Sequence, residues 1–166
     1  MEIKNTETKS GLIEKLHGKV SYCLRDKDGN IVDSGKVTNN IVLSIRKPII
    51  KLLSGYGQAV DSLPFVRQIA LGQSETAATI ADTSLLDEIP NSRKITVTTP
   101  TIADDGLTVT FSFLYDMIDD AIDNKDIKEM GLFTTDGTMI ARTTVGLWRK
   151  STGLYFEIYW TIGYRE

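Results

Sequence analysis

One cysteine and one histidine are all that 166 residues hold of either. Cys23 alone cannot form an internal disulfide, and Cys23 with His17 cannot build a Cys/His zinc site. A basic excess is missing too. Lys and Arg number 19 against 22 Asp and Glu, giving a net charge of -3 and a pI of about 5.2. That balance has nothing to attract a phosphate backbone, so no nucleic-acid partner is expected. No stretch approaches the ~20 apolar residues that cross a bilayer, and residues 1–10 hold no apolar signal core. The chain is therefore expected to be soluble, with no membrane partner. No motif calls for a cofactor or a resident metal. The hydrophobic fraction of 41% and charged fraction of 25% are those of a globular chain with a real core.

What the chain has in abundance is alternation. In Leu154-Tyr155-Phe156-Glu157-Ile158-Tyr159-Trp160-Thr161-Ile162 every second residue is large and apolar. Period two is the mark of a strand with one buried face. Val109, Phe111 and Phe113 alternate with Thr108, Thr110 and Ser112 in the same way, and Ile95 and Val97 with Lys94, Thr96 and Thr98. A strand is expected over 65–71, ending at Gly72. Asp28-Gly29 between β-prone runs predicts a hairpin over 20–37, and Asp136-Gly137 predicts a second between 127–133 and 138–145, with Gly146 to Gly153 expected as a basic turn into the last strand. The one helical pattern covers 41–54. There Val42, Ile45, Ile49, Leu52 and Leu53 recur near helical spacing, and Gly55 stands where a helix stops. Pro48 implies a kink or a later start. Residues 1–18 are expected as a flexible polar arm and 19–166 as one β-rich domain. The expected fold is mainly β, an antiparallel β-sandwich with one amphipathic helix. An α+β fold with the helix across one sheet is the alternative.

Several short stretches come near catalytic or metal-binding patterns without completing them. Asp26-Lys27-Asp28-Gly29-Asn30 starts like a calcium loop, but Ile31 stands where glycine is needed and the flanks are strands. Gly72-Gln73-Ser74-Glu75-Thr76 nearly matches a nucleophile elbow, with no histidine beyond His17 to serve it. Ser44-Ile45-Arg46-Lys47 matches Ser-x-x-Lys without its companion motifs. Asp116, Asp119, Asp120, Asp123 and Asp126 form an acidic cluster, read as a solvated loop, with cation binding as the other reading. Glu129 sits in a largely apolar strand. A four-residue turn at Thr134-Thr135-Asp136-Gly137 would set it opposite Arg142, predicting a structural cross-strand ion pair; a two-residue turn would set Gly131 there instead. Tyr155, Tyr159 and Trp148 form a candidate contact surface. Only one charge, Glu157, lies on the Tyr-bearing face of the last strand, which suits a helix or a partner. No catalytic residue is assigned.

Five stretches in order carry a resemblance: Asn39-Asn40-Ile41-Val42; Ile69-Ala70-Leu71-Gly72; Thr83-Ser84-Leu85-Leu86-Asp87-Glu88; Lys128-Glu129-Met130-Gly131-Leu132-Phe133; and Met139-Ile140-Ala141-Arg142. In that order the chain resembles small virion structural proteins of tailed bacteriophages, of the capsid-accessory, neck and tail or fibre-attachment group. The resemblance spans about residues 37–163 and brings no catalytic residues. It implies that Gly72, Leu85, Glu129, Gly131 and Arg142 are scaffold. It also implies a non-enzymatic virion component, made in the host cytoplasm, whose partners are other virion proteins and copies of itself. The alternatives are a carbohydrate- or receptor-binding β-module and, more remotely, a small hydrolase.

Overall fold

The computed structural model describes residues 16–42, 66–96, 100–104 and 108–164. These form nine strands: β1 (Leu16–Arg25), β2 (Ile31–Ile41), β3 (Val66–Gly72), β4 (Lys94–Ile95), β5 (Thr101–Ile102), β6 (Thr108–Tyr115), β7 (Asp126–Thr134), β8 (Met139–Arg149) and β9 (Tyr155–Tyr164). They join in one antiparallel sheet of order β4-β3-β7-β8-β2-β1-β9-β6-β5. The fold is thus mainly β, and no helix occurs among the described residues. The helical pattern over 41–54 falls outside them beyond Val42, and Ile41 itself ends β2. Ser44 and Lys47 lie outside them too. So do residues 1–15 of the expected arm, while Leu16, His17 and Gly18 already belong to β1, paired with β9.

Strand β9 runs through the middle of one half of the sheet, and its alternation explains why. Trp160 lies between Val20 of β1 and Phe111 of β6, Ile158 between Tyr22 and Phe113, and Phe156 between Leu24 and Tyr115. All nine side chains belong to one buried cluster. Burying each large apolar side chain is worth roughly 1.5–3 kcal/mol, so this face outweighs any local preference.

The sheet curls so that its two halves face each other. Along most of its length β2 ladders with β1, yet Asn40 and Ile41 pair with Arg142 and Ala141 of β8. Opposite the β1–β9 rows, Trp148 of β8 packs on Tyr22 with ring centroids 4.0 Å apart. At the far ends, the hydroxyl of Tyr115, the last residue of β6, donates to Ser92 O at 2.6 Å, and Lys94 of β4 pairs with Asp119 at 2.7 Å.

The turns follow from their residues. Asp26 Oδ1 accepts the N–H groups of Asp28 and Asn30, each at 2.9 Å, and Gly29 adopts φ 84°. That conformation costs glycine nothing. Asp26 Oδ2 also accepts Asn30 Nδ2 at 3.0 Å, so both carboxylate oxygens hold the turn.

Candidate functional site

The β7–β8 hairpin brings two fully buried charges, Glu129 and Arg142, together. Its loop is shorter than a four-residue turn: Thr134 N–H donates to Thr138 O at 2.9 Å, leaving 135–137 as the loop, with Gly137 at φ 82°. A bulge between Leu132 and Phe133 then shifts the register by one more residue. Glu129 therefore lies opposite Thr144, and Gly131 opposite Arg142. The expected direct opposition of Glu129 and Arg142 is corrected. The two side chains nevertheless meet on a diagonal: Arg142 Nε donates to Glu129 Oε2 at 2.8 Å and Nη2 lies 2.7 Å from the same oxygen.

Both side chains are fully buried, at 0% exposure. A buried pair survives only if its remaining donors and acceptors are satisfied. Arg142 Nη1 reaches Asp82 Oδ2 at 2.8 Å and Nη2 reaches Thr76 O at 2.9 Å, with Ala77 O a longer 3.4 Å from Nη1. Glu129 Oε1 accepts Asp87 N–H at 2.7 Å and Oε2 accepts Leu86 N–H at 3.3 Å. The pair thus grips the connection between β3 and β4 at both ends of its loop.

Small residues let that connection lie close to the sheet. A Cβ on Gly72 would sit 2.5 Å from Glu129 Oε1 and 2.7 Å from Asp87 O; one on Gly131 would sit 2.9 Å from Leu85 Cδ2. Backbone bonds complete the seam, with Gln73 N–H to Asp87 O at 2.9 Å and Ile89 N–H to Leu71 O at 2.8 Å. Asn40 Nδ2 ties the same loop to β2 through Ala78 O at 2.7 Å. Beside the ion pair lies an apolar cluster of Val42, Ala70, Leu85, Phe133 and Met139. It takes one residue from each of the five stretches that carry the resemblance.

Asp82 is the member that pattern reading missed. Burial raises its pKa, but hydrogen bonds from the Thr79 amide and hydroxyl and from Arg142 outweigh that and hold it below the ordinary carboxylate range. Its signal was the Thr79-x-x-Asp82 spacing, a capping-box separation that fixes a turn.

The acidic cluster is solvated only in part: Asp116 and Asp120 are exposed, while the other three are paired. Asp119 pairs with Lys94, Asp123 with Lys150 and Asp126 with Arg149. Lys150 is fully buried and also donates to Met117 O at 3.1 Å, so it pins the β6–β7 connection as Arg142 pins the β3–β4 one. Burial raises the Asp123 pKa, but the Lys150 contact and a backbone bond from Asp119 outweigh it and leave the group lowered. Among the described residues no three His, Cys, Asp or Glu are grouped to hold a metal ion.

The candidate contact surface divides. Tyr155 is half-buried and Tyr159 exposed on the outer face of β9, with Tyr159 OH donating to Glu157 at 3.1 Å. Trp148 is buried and does not join them, a correction to the expected surface. Strand β8 continues to Arg149, where a turn was expected, and carries the indole inward onto Tyr22. Ser74 Oγ accepts Thr76 N–H at 3.2 Å within its own loop, while His17 sits in β1 opposite Gly163.

Chemically the Glu129–Arg142 site is a tether. Each Glu129 oxygen already accepts a backbone amide, and Oε2 also accepts Arg142. No protein-family model matches the chain, no curated protein matches it, and no solved structure matches it.

Proposed function

We propose that the chain is a non-enzymatic structural component of a tailed-phage virion. In this reading it is made in the host cytoplasm and binds other virion proteins, and copies of itself, during assembly at a tail, neck or capsid-surface position. The observation that carries the reading is the convergence of five separated stretches on one buried ion pair and one apolar cluster. The residues on which the resemblance rests act together as scaffold, which supports taking them as one motif. Within this proposal the curled sheet is a two-layered sandwich with β2 as its corner strand, supported by the packing of Trp148 against Tyr22. The carbohydrate-binding alternative loses Trp148 from its aromatic platform.

Peptide mass spectrometry of purified phage particles from the source, read with the genes flanking this one, tests the proposal. Recovery at a fixed copy number among virion genes supports it. Absence of the chain from washed particles overturns it.

A further inference from the structure

The outer face of the β2-β1-β9-β6-β5 half of the sheet is set by unbroken registers. Gly18 to Leu24 of β1 ladder with β2 without a shift, and the β1–β9, β9–β6 and β6–β5 pairings carry none. Directly opposed residues share a face. Val20, Tyr22, Ile158, Trp160, Phe111 and Phe113 lie in the core, so the residues between them face out. One outward row is Thr38, Lys19, Thr161, Thr110 and Thr101. It crosses five adjacent strands, about 19 Å. The next row is Lys36, Ser21, Tyr159 and Ser112.

The chemistry of these two rows is one-sided. Lys19 and Lys36 are exposed diagonal neighbours, and no carboxylate stands in either row. Neither lysine forms an ion pair among the described residues. Glu157, one row further on, already accepts Arg25 Nε and the Tyr159 hydroxyl. Tyr159, 37% exposed, stands between Ser21 and Ser112, whose short side chains leave its ring accessible. Every remaining position carries a hydroxyl. A chain of net charge -3 thus presents a face with two uncompensated cations, one open aromatic ring and a field of hydroxyls.

We propose that this face binds an acidic polysaccharide. The lysines match its carboxylates, the hydroxyls of Ser and Thr exchange hydrogen bonds with its own, and the Tyr159 ring takes the apolar face of a sugar. An open sheet face encloses no small molecule, so the ligand lies across it as a chain. Two lysines are too few to hold a nucleic-acid backbone. Two rows whose one large apolar side chain is Tyr159 lack the apolar centre of a protein interface.

Isothermal titration of the full chain with polygalacturonate, alginate and hyaluronate tests this, with dextran, polyglutamate and polyuridylate as the neutral, peptide and nucleic-acid probes. At least one acidic polysaccharide is expected to bind, more weakly as salt rises, and the other probes are not. Tyr159→Ala and the Lys19→Gln/Lys36→Gln double variant are each expected to weaken binding about tenfold, with the circular dichroism spectrum unchanged. Binding to none of the three acidic polysaccharides overturns the proposal. So does equal binding of dextran, polyglutamate or polyuridylate, or binding that both variants leave intact. Titration of the purified chain is blind to virion membership, so this proposal and the virion reading fail separately.

Discussion

Arg142 and Glu129 are diagonal neighbours, not opposed ones: Gly131 fills the rung facing Arg142, and the guanidinium slants across to Glu129 at 2.7 Å. The slant lets Nη1 reach Asp82, while Nη2, shared with Glu129, also donates to Thr76 O. One buried cation thereby ties two strands to a long connection.

Breaking the pair from one side is expected to be costly. Arg142→Met leaves the Glu129 carboxylate buried without a counter-charge, at a cost of about 3–5 kcal/mol. The Glu129→Gln/Arg142→Met double variant should lose less than the sum of the single variants, because it leaves no orphan charge. Urea midpoints of the single and double variants check this.

Gly72→Ala tests the close approach. Its methyl group would meet Glu129 Oε1 at 2.5 Å and the Asp87 carbonyl at 2.7 Å. A backbone carbonyl cannot swing aside as a side chain does, so a loss of about 1–3 kcal/mol is expected. Thermal unfolding of the variant reads it. Gly146→Ala, where a Cβ meets nothing within 4 Å, is the control.

How much of this was legible differs by element. The β9 alternation placed Phe156, Ile158 and Trp160 inward, and the structure has them there. Both Asp-Gly turns were legible because glycine alone tolerates their left-handed φ without strain. The β7–β8 register was not, since a bulge leaves no composition signal and moves every later pair. Trp148 was hidden for a related reason: Gly146 and the basic residues around it read as a turn, whereas the strand runs on and buries the ring. The acidic cluster misled because its partners Lys94, Arg149 and Lys150 lie in other segments, and pattern reading sees only near neighbours.

Trp148 and Tyr159 should separate cleanly on mutation. Trp148→Ala opens the core beside Tyr22 and is expected to cost about 3–5 kcal/mol. Tyr159→Ala, on an exposed position, should stay within about 0.5 kcal/mol. Chemical denaturation followed by far-UV circular dichroism gives both numbers without depending on the indole.

Stability should fall at both ends of the pH scale. Asp82 and Asp123 are held below their ordinary value of 3.8, so their contribution is complete above that value and is lost as pH falls below it. Burial, followed by the charges of Asp119 and Glu88, pushes Tyr115 well above its ordinary 10.0. Its contribution is complete below 10.0 and is lost as pH rises further, because the unfolded chain gives up the phenol proton first. Tyr115→Phe removes the bond to Ser92 O, at about 1 kcal/mol, and should flatten the alkaline limb. Unfolding midpoints from pH 3 to pH 11, a window of about one unit beyond each ordinary value, trace the profile.

The central claim is that Arg142 and Glu129 hold the β3–β4 connection on the sheet. Hydrogen exchange at single amides tests it most directly, in the wild type and in Arg142→Met under conditions where both are folded. The account predicts that the Leu86 and Asp87 amides, which donate to Glu129, exchange about 100-fold faster or more in the variant. Amides of β1 and β9, across the core, should keep their protection. Unchanged exchange at Leu86 and Asp87 would contradict the account.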